Sequence, residues 1–99
     1  MIDGVIITPL SIIHLADGDV LHGIKSSEGN YFGFGEAYFS MIKHNSIKGW
    51  KRHHEMVMNL IVPLGSIRFV LYDDREDSSS FSQFQEVLLS KNNKYSCLT

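Results

Sequence analysis

The densest run of chemically capable side chains is Lys48-Gly49-Trp50-Lys51-Arg52-His53-His54-Glu55, which gathers cations, two imidazoles, an indole and a carboxylate in one short segment. An imidazole is the side chain whose ordinary titration lies nearest neutrality, so His53 is the natural general base here. A lysine works as a base only when desolvation or neighbouring cations strip its proton, which makes Lys51 the weaker candidate. Lys48 is suited to holding a developing oxyanion. On an extended chain Lys51 and His53 share one face, while Trp50, Arg52 and His54 share the other. The same residues also describe a solvated edge strand whose charges discourage aggregation, and the local pattern favours that plainer reading.

Further candidates lie on either side. Glu36 and Tyr38 sit on an aromatic stretch, Tyr31–Ile42, as a carboxylate and a ring able to meet a ligand; a rim carboxylate and an aromatic core are the alternatives. Asn59 follows the basic run as a hydrogen-bonding group, and Tyr72 offers a barrel ring with a polar tip. Neighbours on a strand point apart, so His53 and His54 cannot chelate one metal together.

The elements that position these groups read as strands. Val5–Thr8 is β-branched and runs into Pro9. Ile12–Leu15 and Val20–Ile24 flank an Asp-Gly, a hairpin signal. Tyr31–Ile42 reads as a bent or bulged strand interrupted by glycine. Asn59–Val62 and Ile67–Tyr72 are joined by Pro63-Leu64-Gly65-Ser66, which is turn chemistry. Asp73–Ser80 is charged and serine-rich and reads as a solvent loop. Glu86–Leu89 and Tyr95–Thr99 are the last strands. No long helical stripe interrupts them, so the class is all-β. The strand in progress at Leu98-Thr99 reads as an unpaired edge that invites another chain.

Composition bounds the rest. The chain has 99 residues, room for one domain over 1–99. Its 11 acidic and 9 basic residues leave a formal charge of -2, which gives no electrostatic case for nucleic acid. Cys97 is the one cysteine, too few for a disulfide framework. No apolar run reaches the ~18 residues of a membrane span, and no signal peptide is legible, so an intracellular, cytoplasmic protein is expected.

In their order, these segments resemble the dTDP-4-dehydrorhamnose 3,5-epimerase-like proteins. Those are cupins, double-stranded β-helices or jelly rolls, acting on nucleotide-linked 4-keto sugars. The family's Arg-Gly-Leu-His run corresponds to Lys48-Gly49-Trp50-Lys51. Its Gly turn and the strand ending Val-Asp-x-Arg correspond to Gly65–Arg75, where the resemblance implies an ion pair of Asp73 and Arg75 at the rim. Its later strand corresponds to Phe81, Phe84 and Val87-Leu88-Leu89-Ser90, then Asn92-Asn93. Gly35–Ser40 stands where the family has a sugar-facing strand. The likeness covers roughly residues 32 to 99.

The resemblance implies a cupin fold incomplete at its C-terminus. It implies a nucleotide-sugar 3,5-epimerase-like or ketoisomerase-like protein of surface-polysaccharide, including lipopolysaccharide, biosynthesis. Two departures qualify it. Lys51 replaces the family's catalytic histidine, with His53 two positions on, and the half that supplies the family's tyrosine acid is absent. The implied catalytic set is His53, Lys51 and Lys48, and the implied substrate contacts are Glu36, Tyr38, Asn59 and Tyr72. Low or no activity is expected, the alternative being a non-catalytic cupin that binds a sugar nucleotide or serves in assembly. A third reading is a fragment without ligand. Aligned on Gly65, a cupin's metal ligands fall on Lys51, His53 and Met58, a poor donor set, so neither metal nor other cofactor is expected. Lys48 and Lys51 face one cavity only with a bulge at Gly49. Family dimers and exposed strand edges both imply a homodimer through strand pairing.

Overall fold

Seven strands appear in the computed structural model, which describes residues 1–99 and contains no helix: β1 (Ile7–Pro9), β2 (Ile12–Ile13), β3 (Val20–Leu21), β4 (Leu60–Ile61), β5 (Ser66–Tyr72), β6 (Phe84–Ser90) and β7 (Ser96–Leu98). They form a three-stranded sheet ordered β1-β7-β4 and two hairpins, β2-β3 and β5-β6. Every pairing is antiparallel.

The β5-β6 hairpin is the longest ladder, pairing Ser66 with Ser90 through to Tyr72 with Phe84. Strict alternation fixes its register, because a slip of one residue would turn every apolar side chain to water. Ile67, Phe69 and Leu71 point one way, opposite Leu89, Val87 and Gln85. The core lies under that face, made of Val62, Val87, Leu89 and Leu98 with Val5, Leu60, Ile67, Phe69 and Leu71 packed on it. Gly65 stands at a φ of 79°, so the turn out of β4 requires a residue without a Cβ.

Three expectations need correction. β7 is no free edge: it lies between β1 and β4, pairing Ile7 and Leu60 both with Leu98. Its apolar, buried residues are what a central strand requires. The stretch Tyr31–Ile42 forms no strand, because its backbone finds no ladder partner; its rings stay exposed, with Phe34 at 77% and Phe39 at 100%. The turn at Pro63–Ser66 joins β4 to β5 as read, while the ladder partner of β4 is β7. Asp73–Ser80 is more than a solvent loop, since Asp73 and Ser80 are buried. Asp73 accepts hydrogen bonds from Arg75 Nε at 2.8 Å, Ser78 Oγ at 2.6 Å and Ser80 Oγ at 2.7 Å. Arg75 and Ser80 in turn bind the N-terminal segment at Asp3 O and Asp3 N. That network holds the Asp73 carboxyl well below the usual carboxylate range, the Arg75 guanidinium being the largest cause.

The fold leaves much surface open. The accessible area is 8034 Å², against about 5,700 Å² expected for a folded monomer of this mass. The radius of gyration is 14.7 Å, where about 12.6 Å is usual for this length. No helix is long and apolar enough to cross a membrane.

Candidate functional site

Residues 31–57 hold most of the sequence-derived candidates, and every one of them is exposed. Lys48 folds back on its own segment: its Nζ donates to Ser40 Oγ at 2.9 Å and to the Met41 carbonyl at 3.1 Å. Gly49, at a φ of 139°, breaks the extended path beside it, where a regular strand would have set Lys48 and Lys51 on opposite faces. Arg52 reaches across to Asp74, Nε to Oδ2 at 2.8 Å, and so ties the basic run to the end of β5. Lys51 and His53 are exposed and form no hydrogen bond or ion pair. Glu36 and Tyr38 are exposed on the same segment, Tyr38 at 58%. Lys48, with its ammonium already engaged, makes no hydrogen bond with His53. Two surface depressions lie elsewhere, along β1, β6 and β7, and no residue of 31–58 lines them.

Tyr72 is positioned by the hairpin. It stands opposite Phe84, and the two rings pack with centroids 4.7 Å apart. Alternation puts this pair on the face of β5-β6 turned away from the core. Arg52, through Asp74, brings the basic run to this end of the hairpin.

The three-stranded sheet has two unlike faces. Leu60, Val62 and Leu98 face the apolar core. The opposite face carries Asn59, Ile61, Cys97 and Thr99, because strand residues alternate and Ile61 stands opposite Cys97. Asn59 Oδ1 accepts the Thr99 hydroxyl at 2.6 Å and the Cys97 thiol at 3.6 Å. Cys97 is fully buried, and desolvation pushes its thiol up from the ordinary value. Asn30 is buried beside it at 3% exposure, its Oδ1 without a partner. Asn59 was legible as a candidate from its place after the basic run. Its partner Thr99 was not, because forty residues separate them and only the β4-β7 register brings them together.

No group of three or more His, Cys, Asp or Glu side chains converges as a metal centre requires.

No protein-family model matches the chain. In sequence it is similar to the probable low-salt glycan biosynthesis epimerase Agl13 of Haloferax volcanii, 30% identical over 59 residues, which is 59% of this chain and 38% of that protein. In structure it is similar to the dTDP sugar isomerase of Desulfovibrio desulfuricans G20, with a TM-score of 0.95 and 35% identity, covering 98% of this chain and 62% of that one. The chain thus spans under two thirds of the length of either. Over the span it covers, the chain is similar to a sugar epimerase and a sugar isomerase, and its all-β architecture is of the cupin type.

Proposed function

We propose that this chain is a nucleotide-sugar 3,5-epimerase-like or ketoisomerase-like protein of surface-polysaccharide biosynthesis, lipopolysaccharide included, acting on a dTDP-linked 4-keto-6-deoxy sugar. The observation that carries the reading is the match to a dTDP sugar isomerase across 98% of the chain at 35% identity. At that level the likeness extends past backbone shape to the residues themselves.

The chemistry asks for three things. A base removes the proton on the carbon beside the ketone, a cation or donor holds the enolate oxygen, and an acid returns a proton to the opposite face. His53 is assigned as the base, with Lys51 beside it and Lys48 as the enolate partner. Glu36, Tyr38, Asn59 and Tyr72 are assigned to substrate. Lys48 must leave Ser40 and Met41 to take this role. The reading includes one domain over 1–99, a homodimer and a cytoplasmic site of action.

One observation favours a second reading. Lys48 is engaged by Ser40 and Met41 rather than by Lys51 or His53, which suits a cupin that binds a sugar nucleotide or assembles without turning it over. Incubation with dTDP-4-keto-6-deoxyglucose in deuterated water separates the two. Deuterium at C3 or C5 supports the epimerase; saturable binding without exchange supports the second reading; no binding overturns both.

A further inference from the structure

The groups assigned to the reaction sit on separate parts of the chain. Lys48, Lys51 and His53 lie on the exposed segment after Asn30, and Tyr72 ends the first strand of the β5-β6 hairpin. Residues 32–57 belong to no strand, so no ladder ties them to the hairpin. They make a single polar contact with the rest of the chain, the Arg52–Asp74 ion pair, Nε to Oδ2 at 2.8 Å. Their other hydrogen bonds are internal: Lys48 to Ser40 and Met41, and the Ser46 amide to the Lys43 carbonyl.

The two ends of that contact are unlike. Asp74 stands on a fixed backbone. Before it, the Asp73 amide donates to the Gln83 carbonyl at 3.0 Å, and the Asp73 carbonyl accepts the Ser82 amide at 2.7 Å. After it, the Arg75 amide donates to Asp73 Oδ1 at 3.0 Å, and the Arg75 guanidinium binds the Asp73 carboxylate and the Asp3 carbonyl. Asp73 and Arg75 satisfy each other, which leaves the Asp74 carboxylate to the basic run. Arg52 has no such anchorage, so its place, and that of Lys51 and His53 beside it, follows the carboxylate it reaches. Both side chains are largely exposed, so the pair adds little to the stability of the fold. What it fixes is where the basic run lies relative to Tyr72.

We infer that Asp74 is a positioning residue that, by pairing with Arg52, sets Lys51 and His53 at the Tyr72 end of the hairpin for the bound sugar nucleotide. The inference rests on the nucleotide-sugar reading of the protein. Asp74 acts through Arg52 and touches no ligand. Because the ligand carries a diphosphate, the sign of the effect separates this role from mere proximity. A carboxylate that only lies near the site repels the phosphates, and its removal tightens binding. Removal of a carboxylate that positions the basic run weakens it.

The test is calorimetric titration of the full chain with dTDP-glucose. Asp74→Asn weakens binding about threefold, within the range of one exposed ion pair. Asp74→Lys weakens it further by repelling Arg52, although a new cation alone would favour the phosphates. Asp74→Glu keeps the charge and stays close to the wild type. Amide NMR supplies a readout that a general loss of stability would not move. At saturating ligand the shifts at residues 48–55 keep their size in Asp74→Glu and shrink in Asp74→Asn, while the shift at Tyr72 persists in both.

Unchanged or tighter binding in Asp74→Asn, or shifts at residues 48–55 that keep their wild-type size in it, overturns the inference while the nucleotide-sugar reading stands. If Asp74→Lys does not fold, Asp74→Asn and Asp74→Glu decide by themselves. A wild-type chain that binds no dTDP-glucose overturns the proposed function, and this inference with it.

Discussion

Dilution and two charge substitutions test the proposed homodimer. The chain exposes about 2,300 Å² more than a compact monomer of its mass, above the roughly 800 Å² each partner buries in a standard interface. The excess is concentrated in the segment after Asn30, where Phe39 is 100% exposed and Ile47 98%. Burying one such side chain contributes about 1.5–3 kcal/mol. In a two-fold dimer each substitution counts twice, so Phe39→Glu or Ile47→Glu weakens association by about 3–6 kcal/mol, or roughly 10²–10⁴-fold. Sedimentation velocity between nanomolar and tens of micromolar chain resolves this. The wild type is expected to run at twice its 11.2 kDa mass at micromolar concentration, and each variant at 11.2 kDa. A wild type that stays at 11.2 kDa across the range, or a Phe39→Glu chain that dimerises as tightly, refutes the reasoning from exposed area.

Other consequences follow from the core and the loop network. Leu89, at 2% exposure in the centre of the core, should cost about 2–5 kcal/mol on substitution to Ala, read as a lower denaturant midpoint with an unchanged slope. The depressed Asp73 carboxyl stabilises the fold above the ordinary carboxylate range, and this is lost as pH falls below about 4. Thermal melts should therefore show stability dropping between pH 5 and about pH 2 in the wild type, with a shallower fall in Asp73→Asn. Cys97, buried and with its thiol pushed up, should react with a thiol reagent only as fast as the sheet opens, so that denaturant accelerates labelling; rapid labelling of the native chain would contradict the burial.

Local signals were legible and distant ones were not. The Asp-Gly between Ile13 and Val20 marked the β2-β3 hairpin, and the alternation of Ile67, Phe69 and Leu71 marked β5 with its register. The Asp73–Arg75 ion pair was expected from the likeness of the strand end to the family's, and the two groups, two residues apart, do pair. Nothing local says that β7 pairs with β1 and β4, ninety and forty residues away, and its run of buried residues reads the same in an edge or a centre until its partners are known. Tyr31–Ile42 failed as a strand for the complementary reason. Aromatic and β-branched content expresses a surface to be packed, and without a neighbouring backbone it forms no ladder. The basic run was found from composition, but its geometry rests on contacts no local pattern encodes, Lys48 with Ser40 and Arg52 with Asp74. The Asn59–Thr99 pair needed the sheet.

The most direct measurement of the central claim is a backbone-amide NMR titration of the whole chain with a dTDP-4-keto-6-deoxy sugar. The account requires saturable shifts that move together at residues 48–55, Asn59 and Tyr72. Shifts confined to the depression around Ile7, Lys94 and Tyr95, or none up to millimolar ligand, would contradict it.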